Sequence, residues 1–235
     1  MIRTLDRREL SHDRLGDRFA TALSRYDTDR RVEVLVDEFL GPDRLRGAKV
    51  LDIGCGLGDF SERLVYHGAD VTACDLGPNL VDRTRARVGC KAVVADALDL
   101  KATFEPESFD IVVSSECIEH TPDPKRAVRE MAAMVKPGGL LSFSTPNRLW
   151  YPVVRLATIL KLRPFDGFEN FSSWGGLRST LAESGMDVVR EKGLHAFPFQ
   201  FGLHRLSRWV DENCQFARGE MINICLLAEK PKEKS

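Results

Sequence analysis

The chain has 235 residues, 43% hydrophobic and 29% charged, with 34 basic against 35 acidic side chains and a formal net charge of -1. That length fits one domain with a sizeable core, and that balance excludes disordered, collagen-like and coiled-coil chains. Near-neutral charge gives no field to hold a polyanion and no dense basic patch supplies one locally, so no nucleic-acid partner is expected.

In chain order, Asp13 to Tyr26 is a polar helix candidate, and Arg30 to Leu40 sets Val32, Leu35, Val36, Phe39 and Leu40 on roughly one helical face. Together they predict an N-terminal helical cap over residues 1–45. Strand-like runs then alternate with amphipathic helical ones: Lys49 to Ile53, Asp70 to Asp75, Lys91 to Ala95, Phe109 to Ser115 and Leu140 to Thr145 between helices Phe60 to His67, Pro78 to Val88 and Pro124 to Val135. This is the pattern of a parallel sheet with crossover helices, a cofactor-binding core over 46–148. Further on, Tyr151 to Arg163 is an apolar helix candidate with three basic residues, and Ser172 or Ser173 caps a helix to Glu183. Met186 to Leu194 and Met221 to Glu229 read as strands. The expected fold is α/β, a Rossmann-like doubly wound sheet of seven strands in a single domain, with residues 149–220 covering the ligand edge and 221–235 forming the last strand and a frayed tail.

No apolar run approaches the roughly 20 residues that cross a bilayer, and Met1 to Arg8 is charged rather than basic-then-apolar. Neither export nor a membrane span is expected. Cys55, Cys74, Cys90, Cys117, Cys214 and Cys225 form no CxxC pair, which fits reduced thiols in a cytoplasm.

The chemistry concentrates in Val50 to Phe60, a strand leading into a loop with Gly54, Gly56 and Gly58 and then a helix. Glycines at alternate positions allow positive φ and let a ligand lie on the backbone at a helix N-terminus. About twenty residues on, Asp75 ends the second strand, where a carboxylate accepts both hydroxyls of a ribose. Asp52, just before the loop, would repel a pyrophosphate and suit a cationic ligand, which favours S-adenosylmethionine over NAD.

With Ala95-Asp96-Ala97, Phe109 to Val113 and Val135 to Gly139 following in order, the sequence resembles the class I S-adenosylmethionine-dependent methyltransferases from Arg46 to the final strand. The resemblance implies S-adenosylmethionine as cofactor and S-adenosylhomocysteine as product. It also implies that the glycine loop, with Gly54, Cys55 and Gly56, faces the methionine part and that Asp75 holds the ribose; Asp52 and Leu76, which flank these, are further cofactor-binding candidates. Asp96 and Ala97 then flank the adenine, through the carboxylate and the backbone N–H, and Ser115 is a further cofactor-binding candidate. Ser115 to Pro124, with Lys136 to Gly139 and Ser144 to Arg148, is most similar to the ubiquinone-biosynthesis O-methyltransferase branch, and small-molecule methyltransferases of natural-product pathways share much of the stretch.

Methyl transfer from a sulfonium needs alignment more than acid–base groups, but a hydroxyl acceptor must lose its proton. His120, following the fourth strand, is the candidate base, with Glu119 orienting or assisting it; the alternative is that His120 caps or packs the following turn. Glu116, Glu119 and His120 at i, i+3 and i+4 offer a divalent-metal set, which the ubiquinone branch implies, or a solvated polar turn. His195 and His204 either line the acceptor pocket or sit in the core as satisfied groups. Tyr26, Arg30 and Arg31 either close over the cofactor or, for the arginines, solubilise a helix.

Trp150, Tyr151, Phe165, Phe168, Phe171, Trp174, Phe197, Phe199, Phe201, Trp209 and Phe216 put 11 of 19 aromatic residues into 149–220, favouring a hydrophobic acceptor over a second small core. The basic apolar helix at 151–163 suggests peripheral membrane contact, a lid or a dimer contact. The function expected is methylation of a hydroxyl oxygen on a hydrophobic, phenolic or quinone-like small molecule. The rivals are N-methylation, a catalytically silent cofactor-binding subunit and, least favoured, an NAD oxidoreductase.

Overall fold

The computed structural model describes residues 25–159, 169–197 and 203–232. Helix α1 (Arg25–Val32) runs into a π-helical turn at Glu33–Glu38 and is followed by the short α2 (Pro42–Leu45). Strand β1 (Lys49–Ile53), α3 (Asp59–Tyr66), β2 (Asp70–Asp75), α4 (Pro78–Val88) and β3 (Lys91–Val94) make the first half of the sheet. Then come β4 (Phe109–Ser115), α5 (Pro124–Met134), β5 (Val135–Pro146), α6 (Tyr151–Ile159), α7 (Trp174–Glu183), β6 (Asp187–Leu194), α8 (His204–Asn213) and β7 (Asn223–Glu229).

The seven strands lie in the order β3-β2-β1-β4-β5-β7-β6. Strands β1 to β5 pair in parallel, whereas β7 is antiparallel to both β5 and β6, so the sheet is mixed. The five crossover-linked strands are parallel as expected, and the two late strands join them through β7, which lies between β5 and β6 and runs against both. Strand order reverses between β1 and β4, and the crevice beyond their carboxyl ends is where such sheets take ligands.

Period-two alternation divides the core. Leu51, Ile53, Val112, Leu141 and Phe143 face Met131 of α5 and Leu177 and Leu181 of α7. Val50, Ile111, Val113 and Leu227 face Leu64 of α3 and Val34, Leu35, Val36 and Phe39. Each such fully buried side chain contributes about 1.5–3 kcal/mol over its exposed state.

The N-terminal element departs from the single helix expected over Arg30 to Leu40. Phe39 N donates to Val34 O at 3.0 Å and Gly41 N to Val36 O at 2.9 Å, an i to i+5 pattern. The widened turn turns three consecutive residues, Val34, Leu35 and Val36, into the core. Most of the candidate Asp13 to Tyr26 lies outside the described residues.

Side chains cap two helices, and the second cap is the serine expected from the sequence. Asp123 Oδ1 accepts from Arg126 N at 3.0 Å ahead of α5, and Ser173 Oγ accepts from Gly176 N at 3.2 Å ahead of α7. Helix α8 has no counterpart among the expected elements. It buries Ser207 and Asp211 while exposing Leu206 and Trp209, the reverse of ordinary amphipathicity. Among the described residues no helix is long and apolar enough to cross a membrane.

Candidate functional site

A cavity of about 1140 Å³, its open mouth included, lies at the carboxyl ends of β1 and β4, where the strand order reverses. Its floor is the loop after β1. Gly54 N and Cys55 N both donate to Cys74 O, at 2.8 and 3.0 Å, tying the loop to β2. Gly54 has φ +72°, and a Cβ there would stand 2.7 Å from Cys117 Sγ, so only glycine serves. Gly56, at φ +52°, has nothing within 4 Å of a notional Cβ and presents bare backbone to the cavity.

Asp75 joins loop and strand. Its Oδ2 accepts from Gly56 N at 3.0 Å and its Oδ1 from Gly77 N at 2.9 Å, so the carboxylate is aimed before any ligand arrives. Leu76, Leu80, Ala95, Asp96 and Ala97 continue the wall. Asp96 Oδ1 accepts from Leu98 N at 2.9 Å, a local turn that fixes its carboxylate.

Asp52 stands apart from the other expected cofactor-binding residues. It is not among the residues lining the cavity; it lies beneath the loop, 1% exposed, with Oδ2 accepting from Ser61 Oγ at 2.5 Å. Burial pushes its carboxyl up to about 7 despite that hydrogen bond. Gly54, Cys55, Gly56, Asp75, Leu76, Asp96, Ala97, Ser115 and His120 are all brought to the cavity wall.

The far end is made of side chains from distant elements. From α1 come Thr28 and Arg31, and from the segment after β4 come Ser115, Glu116, Cys117, His120 and Thr121. Arg31 Nη1 donates to Ser115 Oγ at 2.7 Å, Ser115 Oγ and Ser144 Oγ are 2.9 Å apart, and Ser144 Oγ donates to Glu116 Oε1 at 3.0 Å. A chain of hydrogen bonds thus links guanidinium to carboxylate. The turn bearing His120 is pinned by Asn170, whose N donates to Glu119 O at 2.8 Å and whose Nδ2 donates to Thr121 O at 2.7 Å.

Glu119 is 2% exposed and stands behind His120 rather than in the cavity wall, with Oε1 3.8 Å from His120 Nε2 and Oε2 accepting from Thr145 Oγ1 at 3.2 Å. Burial, reinforced by Glu116, holds its carboxyl well above the ordinary carboxylate range. Glu116 is also pushed up by burial, against the pull of Arg31.

The proposed metal set does not assemble. Glu116 adopts φ +50°, which breaks the helical spacing and turns it to Ser144, while Glu119 turns to Thr145. Among the described residues no group of three or more His, Cys, Asp or Glu side chains stands ready to hold a metal ion. The donor set present does not fit one.

Other expected groups lie elsewhere. Tyr26 donates its hydroxyl to His204 O at 2.9 Å and stacks on the His204 ring at 4.1 Å, Arg30 is buried against Glu33, and none of the three is among the lining residues. His195 is fully buried, 2.9 Å from Asp27. Of the eleven C-terminal aromatics, Phe165, Phe168, Phe199 and Phe201 lie outside the described residues. The rest do not line this cavity: Tyr151 and Phe171 line a second one beyond Pro122, Trp174 packs on the core, and Trp209 and Phe216 are exposed. Thr28 and Asp27 gave no sequence signal: their bonds to Arg31 at i+3 and i+4 read as ordinary helix-surface pairing, and His195, which meets Asp27 in the interior, lies 168 residues away.

A reversed strand order, a glycine loop after β1 and an aimed carboxylate ending β2 define the class I nucleoside-cofactor α/β architecture. The methyltransferase domain family matches residues 51–143. A ubiquinone biosynthesis O-methyltransferase of Aliivibrio fischeri is 41% identical over 179 residues, spanning 72% of this chain and 76% of the relative. An S-adenosylmethionine dependent methyltransferase from Mesorhizobium loti superposes with a TM-score of 0.63 at 20% identity, over 85% of this chain and 96% of that one. Magnesium protoporphyrin IX methyltransferase from Synechocystis PCC 6803, with bound SAH, gives 0.59 at 17% identity, over 93% and 85%. The chain belongs to the S-adenosylmethionine-dependent methyltransferase family.

Proposed function

We propose that the protein transfers the methyl group of S-adenosylmethionine to a hydroxyl oxygen of a hydrophobic, phenolic or quinone-like small molecule. The observation that carries this reading is His120, the one imidazole on the described cavity wall, held beside the carboxyl end of β4 by Asn170. The O-methyltransferase name of the relative that is 41% identical supports the same acceptor atom.

Bound S-adenosylmethionine supplies an electrophilic methyl on a sulfonium. Asp75 receives the ribose hydroxyls: a carboxylate has about four lone-pair sites, and the Gly56 and Gly77 amides fix its orientation. Asp96 receives the adenine amino group and Ala97 gives a backbone N–H. Gly54, Cys55 and Gly56 let the methionine part lie along the backbone. Arg31, the one guanidinium or ammonium on the described wall, meets the methionine carboxylate with the second N–H of Nη1, while Ser115 holds the first. His120 takes the acceptor's hydroxyl proton as the oxygen attacks, and Glu119 orients the imidazole from behind. Asp52 acts from beneath the loop, holding Ser61 and the start of α3.

The exposed apolar row Val153, Leu156 and Ile159 on α6, with Arg155 among them, supports peripheral contact with the membrane that would hold a lipid-tailed acceptor. Six unpaired cysteines support a cytoplasmic setting.

The test is product analysis by mass spectrometry after incubation with catechols, hydroxylated quinols and primary amines. Methyl on oxygen, lost about a hundredfold or more in kcat with His120→Ala, is expected. Methyl on nitrogen with His120→Ala undiminished would replace this reading by N-methylation.

A further inference from the structure

Arg31 is 4% exposed, and its guanidinium is already committed on one edge. Nε and Nη2 donate to the two oxygens of Asp27 at 3.2 and 2.8 Å, a fork-on-fork pair that leaves Nη1 pointing to Ser115 and the cavity. Burial alone would raise the Asp27 carboxyl, yet Arg31 and His195 hold it well below the usual carboxylate range. So Asp27 is a fixed anion deep in the protein, gripped from two sides.

The second grip comes from a distant element. His195 Nε2 lies 2.9 Å from Asp27 Oδ1, with the imidazole fully buried at the end of β6. His195 adopts φ +61°, a left-handed conformation that a non-glycine residue holds only when its surroundings enforce it. Those surroundings are specific. Ile222 N donates to His195 O at 3.1 Å, and Asp211 of α8 accepts from the backbone at both His195 and Ala196, the latter at 3.2 Å. Asp211 is itself fully buried. Helix α8 thus spends a polar inner face on aiming one imidazole.

The aim matters because Arg31 has an alternative partner. Glu116 faces it across the cavity end, near enough to hold its charge, and Glu119 adds to the pull. A guanidinium tethered by an unrestrained Asp27 would be free to collapse toward Glu116 and away from a ligand.

We propose that His195 is a positioning residue for cofactor binding: through Asp27 it fixes Arg31 in the orientation that meets the carboxylate of the bound nucleoside amino acid. The assignment rests on the Arg31 reading given above. His195 touches neither the cavity nor the acceptor, so its effect falls on one end of the cofactor and not on the other.

The test is calorimetric titration of the full chain with S-adenosylhomocysteine and, in parallel, with methylthioadenosine, which keeps the nucleoside and lacks the amino-acid part. Arg31→Ala should weaken S-adenosylhomocysteine about tenfold or more and leave methylthioadenosine within about twofold. His195→Ala should show the same selective loss, of about tenfold, and should add nothing in the Arg31→Ala background. His195→Gln, whose amide N–H can replace the imidazole donor, should recover most of the affinity.

Equal weakening of both ligands by His195→Ala would make it a general support of the site and overturn the proposal, as would unchanged affinity for S-adenosylhomocysteine. Selective loss in Arg31→Ala with none in His195→Ala would overturn the His195 role while sparing Arg31. No loss in Arg31→Ala would remove the Arg31 reading and the proposal with it. Should His195→Ala not fold, Asp27→Asn carries the same expectation, since it keeps the shape and removes the charge between the two partners.

Discussion

The two ends of the cavity are built by different means. At the nucleoside end the decisive contacts are backbone amides on nearby carboxylates: Gly56 and Gly77 on Asp75, Leu98 on Asp96. At the far end they are side chain to side chain across long chain separations, as from Arg31 to Ser115, 84 residues on. The first kind is fixed once β1 and β2 pair. The second exists only when α1, β4, β5, β6 and α8 have all arrived, so it is the end more exposed to single substitutions elsewhere in the chain.

Four measurements sharpen that contrast, beginning with the largest effect. Asp52 is raised from 3.8 to about 7 in the folded protein, so the folded state holds a proton that the unfolded chain has released. Its contribution to stability is complete below about pH 4 and is lost as pH rises through about 7. Asp52→Asn should therefore gain on the parent by roughly a few kcal/mol across that window in urea unfolding. A constant gap between the two would show that burial does not control this carboxyl.

Next, Asp75→Ala removes an acceptor that both shapes the loop and meets the ribose, and should weaken S-adenosylhomocysteine about a hundredfold by calorimetry with the circular dichroism spectrum retained. Affinity within about threefold of the parent would mean that the backbone alone makes that end of the site.

Gly54→Ala should cost about 2 kcal/mol in thermal or urea unfolding, part from positive φ and part from the clash with Cys117. Adding Cys117→Ala removes the Sγ contact but leaves Cys117 Cβ 2.8 Å from the new methyl, so it should return only part of the loss, and full recovery would show that neither the backbone nor the Cβ contact is strained.

The smallest effect belongs to the far end. Burial and Glu116 push the Glu119 carboxyl well above the ordinary carboxylate range, so Glu119→Gln should shift stability by less than about 1 kcal/mol, whereas a large loss of activity would show that a charged Glu119 is needed.

The same division governs what the sequence discloses. The ends of β1, β2 and β4, and α4 in full, follow from local alternation, Pro78 at a helix start and Gly89 at its end. Asp75 and the glycine loop lie within one strand-loop-helix unit, where spacing along the chain is spacing in space. The π turn does not announce itself, because Val34, Leu35 and Val36 satisfy helical periodicity only if the turn widens. Helix α8 is hidden by its inverted faces: Ser207 and Asp211 read as surface, Leu206 and Trp209 as core. His195 carries no local sign of its partner, since nothing in its neighbours points 168 residues back to Asp27.

The order of strands also bears on how the chain is made. Among the described residues, strand β6 has β7 as its one neighbour in the sheet, and β7 is the later of the two to be synthesised. Until Asn223 to Glu229 leaves the ribosome, β6 has no strand to lie against and β5 keeps one open edge along Leu140 to Pro146. A nascent chain halted in this interval presents two unpaired edges at once, the form most prone to pairing with a neighbour. Completing the sheet is thus a single late event, which closes both edges in one insertion.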